Sequence, residues 1–156
     1  MKYSAASFGD FKCAHCHVIV SSAHFLSGVN NRNHCPYCLW SCHLDLYAAG
    51  DRLSACKGQM KPRGLTLKKG RNKYRLDQQG ELMLVHECMD CGTLSINRIA
   101  ADDESSNIMD VFESSLANQI HSSCEIQGVA VLKTHDRDVL AKQLYGGRTE
   151  GSGTLW

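Results

Sequence analysis

Residues 13–38 read CAHCHVIVSSAHFLSGVNNRNHCPYC, and the four cysteines at the ends of this stretch decide how the rest of the chain is read. Cys13 and Cys16 are separated by two residues, as are Cys35 and Cys38, with 18 residues between the two pairs. Two residues between cysteines let one tight backbone turn aim both sulfurs at a single ion, and two such turns complete a tetrahedral shell. The separation falls inside the roughly 15 to 20 residues expected of a four-cysteine zinc site. Four protein ligands leave no position for water or substrate, so this zinc is expected to be structural.

The need for such a staple is visible in the composition. The 156 residues suit one domain, or a small metal-stapled module with an appendage. Aromatics are only 7% of a chain that is 43% hydrophobic, so a modest core is expected to rely on cross-links. The start, MKYSAASFGD, has no apolar core of about 7 to 15 residues, and no stretch reaches the roughly 18 apolar residues of a membrane span. A cytoplasmic, reducing setting is therefore expected, with no membrane partner. There the nine cysteines read as metal ligands rather than disulfides.

A third knuckle, Cys88-Met89-Asp90-Cys91, needs two further ligands. Cys56 is the third, because Cys42 and Cys124 lack a partner in knuckle spacing. His43 is preferred as the fourth, with His86 and His34 as open alternatives. Two Zn2+ ions are thus expected, one on Cys13, Cys16, Cys35 and Cys38 and one on His43, Cys56, Cys88 and Cys91. His15, His17, His24, His121 and His135 show no ligand spacing and are read as solvent-facing, and Cys124 as a small buried apolar residue.

The expected fold class is small α+β: zinc-stapled knuckles with short antiparallel strands, one helix after the second knuckle, and an α-rich C-terminal extension. The helix is placed at Pro36–Ala49, because Pro suits a first turn, Leu39, Cys42, His43 and Leu46 follow helical spacing, and Gly50 can end it. Strands are expected around Val18–Val20, Leu65–Leu67, Tyr74–Leu76, Leu82–Val85, Leu94–Ile96 and Val129–Leu132. Ile108, Val111, Phe112, Leu116 and Ile120 outline an amphipathic helix, and a last helix runs from after Thr134 to Gly146-Gly147. This divides the chain into a two-zinc domain over 8–104, a helical extension over 105–149 and a flexible tail over 150–156.

The string Arg32-Asn33-His34-Cys35-Pro36 resembles the RNHCP-domain family, which is named after it. Tyr37-Cys38-Leu39-Trp40-Ser41, His43-Leu44-Asp45, Gly50-Asp51-Arg52, Cys56, Gly58, Met60, Pro62, Cys88, Cys91-Gly92 and Asn97-Arg98 through Asp102-Asp103 follow the family pattern in order. The resemblance covers about residues 10 to 107 and implies a zinc-ribbon-like or treble-clef-like domain with two metal sites. Cys42 departs from the pattern, which has a non-cysteine there. No established activity comes with the resemblance.

Charge directs the functional reading. Residues 1–100 hold 13 Lys+Arg against 7 Asp+Glu, whereas residues 101–156 hold 4 against 9. Lys61, Arg63, Lys68, Lys69, Arg71, Lys73 and Arg75 place seven cations in fifteen positions without one acid. Phosphate backbones neutralise such a run, and Gly64, Gly70 and Tyr74 would permit close approach or stacking. Arg32 and Arg98 could add contacts to phosphates or base edges, or Arg32, Asn33 and His34 could instead brace the knuckles through hydrogen bonds. The leading expectation is a non-enzymatic zinc protein that binds RNA, ribosomal RNA included, with the acidic C-terminal part contacting a protein partner. One alternative is a metal-dependent nuclease using His34 or His43 with Asn33 and Asp45, and Asp102-Asp103-Glu104 as a candidate magnesium site. Another is an adaptor whose zinc only shapes a protein-binding surface. Among the motifs of hydrolases, kinases and dehydrogenases, no nucleophile elbow, phosphate loop or dinucleotide fingerprint is present, so no small-molecule substrate is expected.

Overall fold

In the computed structural model, which describes residues 10–30, 32–48, 50–69 and 80–146, the apolar run Leu82–Val85 lies in an inner strand of the main sheet. Its lack of alternation has a direct cause: every position from Leu82 to His86 is buried, so the strand is covered on both faces. That sheet has four antiparallel strands, β3 (Ser41–Cys42), β4 (Gln59–Lys68), β5 (Glu81–Cys88) and β6 (Leu94–Arg98), in that spatial order. Ahead of it, β1 (Phe11–Lys12) and β2 (Ile19–Val20) form a small hairpin around the first knuckle, followed by one turn of helix, α1 (His24–Ser27). After the sheet come α2 (Ser105–Ala117), α3 (His121–Ile126) and α4 (Arg137–Tyr145).

The main core joins these parts. Leu39 from the second knuckle and Leu65, Leu82 and Leu84 from the sheet share one cluster with Ile108, Phe112, Leu132 and Leu140. A second cluster sets Val85 against Ile120, Cys124 and Val131, so Cys124 is a buried apolar residue. Gly64 sits at a register shift in β4, where an added Cβ would come 2.7 Å from Val131 Cγ1. The expectation that this glycine opens a path for phosphate is therefore corrected: it admits the chain that crosses β4. Around the first knuckle Cys13, Val20 and Cys35 form a third, small cluster of their own.

The small α+β class with antiparallel strands and C-terminal helices holds, but the helix expected at Pro36–Ala49 is not formed. Leu39 adopts φ +63°, a left-handed conformation that breaks a right-handed helix as soon as the knuckle is made. The chain then enters β3, and the loop beyond it winds around one carboxylate. The Leu46, Tyr47, Ala48 and Leu53 N–H groups all donate to Asp51, at 2.8–3.1 Å. A spacing that mimicked a helix thus belongs to a loop whose amides are satisfied by a side chain. Val129–Leu132 is likewise no strand. It crosses β4 irregularly, held by the Leu132 N–H on the Leu65 carbonyl (2.8 Å) and the Thr66 hydroxyl on the Ala130 carbonyl (2.6 Å). The strand expected at Tyr74–Leu76 and the tail from residue 150 lie outside the described residues. No helix among the described residues is long and apolar enough to cross a membrane.

Candidate metal sites

Three CxxC turns are built to one plan. In each, the N–H of the first cysteine donates to the carbonyl five residues on: Cys13 to Val18, Cys35 to Trp40 and Cys88 to Thr93, all at 2.9 Å. The N–H of the residue after the second cysteine donates back to the first: His17 to Cys13, Leu39 to Cys35 and Gly92 to Cys88, at 2.8–2.9 Å. That residue is left-handed every time, with φ +67°, +63° and +78°. Glycine takes this conformation freely, whereas His17 and Leu39 each bear a cost of about 1 kcal/mol. Leu39 offsets it by burial in the main core.

The first two turns face each other. Cys13 and Cys38 sulfurs stand 3.6 Å apart, as do Cys16 and Cys35, and all four lie within 4.8 Å of one another. A disulfide requires about 2.05 Å. Four sulfurs held about 2.3 Å from one zinc ion are about 3.8 Å apart along each tetrahedral edge, close to what is found. Burial and neighbouring thiolates raise the Cys35 and Cys38 thiols. Burial also opposes the Cys13 thiolate, yet the N–H groups of Cys16 and His15 outweigh it and hold this thiol below its ordinary value. Four thiols so close can all ionise only around a cation, which is the requirement of a metal site.

The third turn meets His43 and Cys56. Cys56 and Cys88 sulfurs are 3.6 Å apart, Cys91 sulfur is 3.4 Å from His43 Nδ1, and the four donor atoms again lie within 4.8 Å. His43 stands directly after β3, and its N–H donates to the Gly58 carbonyl (2.9 Å), which ties it to the segment carrying Cys56. Cys91 lies within 3.2 Å of the Thr93 hydroxyl, and hydrogen bonds from Thr93 pull its thiol down to about 6. The Gly58 N–H favours the Cys56 thiolate, but the Cys88 sulfur prevails and pushes Cys56 up to about 11. Each group could hold a metal ion, and three or four thiolates with at most one imidazole are a donor set consistent with zinc.

Of the other candidate ligands, His86 is turned inward. Its Nε2 donates to the Leu39 carbonyl (2.6 Å), and burial, with the charge of His34, pushes its pKa down to about 3. The ring is therefore neutral, and its Nδ1 accepts from the Asn97 amide (2.8 Å). Cys42 stays out of the second group, its sulfur 3.5 Å from the Lys57 carbonyl. His15 is not simply solvent-facing, since its ring stacks on Trp40 at 3.9 Å between centroids and 4° between planes, joining the first two knuckles. Only the paired geometry reveals this contact.

The basic residues are placed less uniformly than their sequence run suggests. The Arg32 side chain is 0% exposed, with its guanidinium on Asp102 (2.7 Å), Asp103 (3.3 Å) and the His34 carbonyl (3.0 Å). The reading of Arg32 as a nucleic-acid contact is corrected accordingly, and the bracing alternative fits. His34 is 2% exposed and bonds Asp103 at 2.6 Å, while Asn33 donates to Asp45 (3.0 Å) and accepts from Arg52. The acids Asp102 and Asp103, read from sequence as part of a candidate magnesium site, are ion-pair partners of Arg32, and Asp103 of His34 as well. Lys61 lies opposite Glu87, Arg63 is 3.8 Å from the same carboxylate, and Arg98 bonds Glu81 at 2.8 Å. Lys68 and Lys69 are exposed, and Arg71, Lys73 and Arg75 lie outside the described residues.

A family model described as the RNHCP domain matches residues 8–109, about two thirds of the chain and both metal groups. The chain belongs to the RNHCP-domain family. The match takes in the string 32–36, all eight cysteine and histidine donors and the Asp102-Asp103 pair that buries Arg32. No curated protein matches the chain, and neither does any solved structure.

Proposed function

We propose that this RNHCP-domain protein is a non-enzymatic module in which two structural zinc ions hold a scaffold that binds RNA through the connection between β4 and β5, with ribosomal RNA as the favoured target. The observation that carries the reading is the run Lys68, Lys69, Arg71, Lys73 and Arg75, five cations in eight positions with no acid among them. Lys61, Arg63 and Arg98 have carboxylates beside them, and Lys68 closes β4 opposite Glu81, so the cations with no acid set opposite them by the sheet register are those from Lys69 onward. Phosphates met there would displace condensed counterions, which makes binding strong at low salt and steeply salt-dependent. The acidic C-terminal part serves a protein partner in the same reading, and the reducing cytoplasm keeps the thiolates available for zinc.

A nuclease has less support. His34 is enclosed and bonded to Asp103, His43 belongs to the second metal group, and Asn33 is occupied by Asp45 and Arg52. The test is a salt series of RNA binding by fluorescence anisotropy, comparing the protein with a variant carrying Lys68→Ala, Lys69→Ala, Arg71→Ala and Lys73→Ala. The expected result is weaker binding and a log–log salt slope reduced by about 0.7 to 0.9 for each phosphate that the variant no longer neutralises. Unchanged affinity and slope would refute the proposed surface. Native mass spectrometry should find two zinc ions on the purified protein.

A further inference from the structure

Beside the second metal group, a cleft of about 180 Å³ opens between β3 with its following loop and the face of β6. Its floor includes Met60, and its walls include Ser41, Tyr47, Ile96 and Asn97. Three observations set it apart from an ordinary surface dimple. Ser41 is 7% exposed, and its hydroxyl is buried without a hydrogen-bond partner among the described residues. A buried hydroxyl left unpaired costs about 1 to 3 kcal/mol, so a position that keeps one invites a ligand group. Next, Asn97 gives its amide hydrogens to His86 Nδ1 and the Ser95 hydroxyl, at 2.8 and 3.1 Å, which leaves its carbonyl oxygen to accept from elsewhere. Finally, Tyr47 lines the cleft and is 85% exposed, while the Asp51 carboxylate accepts its backbone N–H at 2.8 Å, so an aromatic side chain with no core contact stands on an anchored stretch of backbone.

We propose that this cleft binds a single unstacked pyrimidine base, with the Ser41 hydroxyl and the Asn97 carbonyl meeting its polar edge and Tyr47 supplying a stacking surface. Size sets the ring: a cavity of about 150 Å³ takes benzene, so one six-membered ring fills this one. A pyrimidine's hydrogen-bonding edge carries adjacent donor and acceptor groups, which complement an O–H donor and a C=O acceptor lining one cleft. Met60 gives the ring apolar contact, and Arg52, 42% exposed and bonded to Asn33, puts a cation near the rim for an attached phosphate. The pocket rests on the RNA-binding reading only for the source of the base; a free pyrimidine nucleotide offers the same chemistry.

The test compares short labelled oligo(U) and oligo(A) RNAs by anisotropy, and uridine monophosphate by NMR shifts of the Tyr47 and Asn97 amides. Two variants, Tyr47→Ala and Ser41→Ala, remove an exposed ring and an unpartnered hydroxyl, so both keep the fold. Tighter binding of oligo(U), weakened about ten-fold in Tyr47→Ala with the salt slope unchanged, establishes the pocket in RNA recognition. Equal binding of both RNAs with silent variants overturns the pocket and leaves the cationic surface standing. Should neither RNA bind while uridine monophosphate shifts both amides, the pocket stands for free nucleotides and the RNA reading falls. If none of the three binds, both fall.

Discussion

The two metal groups differ in how they are assembled. The first draws all four donors from residues 13–38, encloses Cys13 and Cys35, and has a small hydrophobic cluster to itself. The second gathers His43, Cys56, Cys88 and Cys91 from the end of β3, the approach to β4 and the turn between β5 and β6, and leaves Cys56 and Cys91 exposed. One is a local staple that organises a short peptide; the other is a clamp on the open end of a sheet whose core exists without it. The first should therefore decide whether its segment folds at all, and the second how firmly one edge of a folded body is held.

The largest effect is expected from Cys35→Ser. Structural zinc contributes on the order of 10 kcal/mol to small domains whose ligands it gathers, and no core of comparable size underlies residues 10–38. Bound zinc should fall from two ions to one, and hydrogen exchange should show the amides of β1, β2 and the second knuckle unprotected while β4 and β5 stay protected. Global loss of protection would break the comparison, since it would make the first group part of the main folding unit.

What connects the local staple to the body is the internal ion cluster, and it supplies the next prediction. Arg32 and His34, on either side of Asn33 just before the second knuckle, both reach Asp103, which also accepts the Ala100 N–H at 2.8 Å. Removing Asp103 leaves Arg32 on Asp102 but takes the carboxylate from the enclosed His34 ring and from the Ala100 N–H, and buried polar groups left unsatisfied cost about 1 to 3 kcal/mol. Asp103→Ala should lower stability by that amount in urea titrations, with both zinc ions still bound at neutral pH. A change below about 1 kcal/mol would mean that the two parts are joined through the Leu39 packing instead.

The same contrast explains what the sequence discloses. A staple made within one short stretch writes its spacing into the chain, so Cys13, Cys16, Cys35 and Cys38 can be grouped by counting. The second group depends on chain reversals, and counting alone leaves His43, His86 and His34 as rivals. The structure separates them by what each ring touches: a sulfur, the Leu39 carbonyl and Asp103 respectively. Helical spacing at Pro36–Ala49 misleads because a knuckle turn and a carboxylate-centred loop override periodicity, neither of which has a repeating pattern. The cationic run misleads in part for a related reason. Its first members acquire acidic neighbours only when β5 is laid alongside β4, and Arg32 acquires two only when residues 102 and 103 return to it.

The smallest effect probes the exposed clamp. Thr93 lies one residue beyond the third knuckle's left-handed Gly92 and keeps its hydroxyl 3.2 Å from the Cys91 sulfur. A hydrogen bond from that hydroxyl favours the thiolate, the form that binds metal, so Thr93→Val keeps the side chain's shape and removes only the donor. Partners of this kind are worth about 10-fold or more in metal affinity. In a chelator competition, Thr93→Val should therefore weaken one zinc site by about 10-fold and leave the other as it was. The direction with pH follows from the thiol's lowered pKa: a metal competes with protons for this sulfur, and raising the pKa moves the acid-side release of metal to higher pH. The variant should release its second zinc at a higher pH than the parent, while release from the four-cysteine group stays put. If both sites shift together, the two groups are thermodynamically one unit, and the distinction between staple and clamp fails; if neither shifts, the Thr93 hydroxyl accepts rather than donates and the thiolate is held by backbone alone.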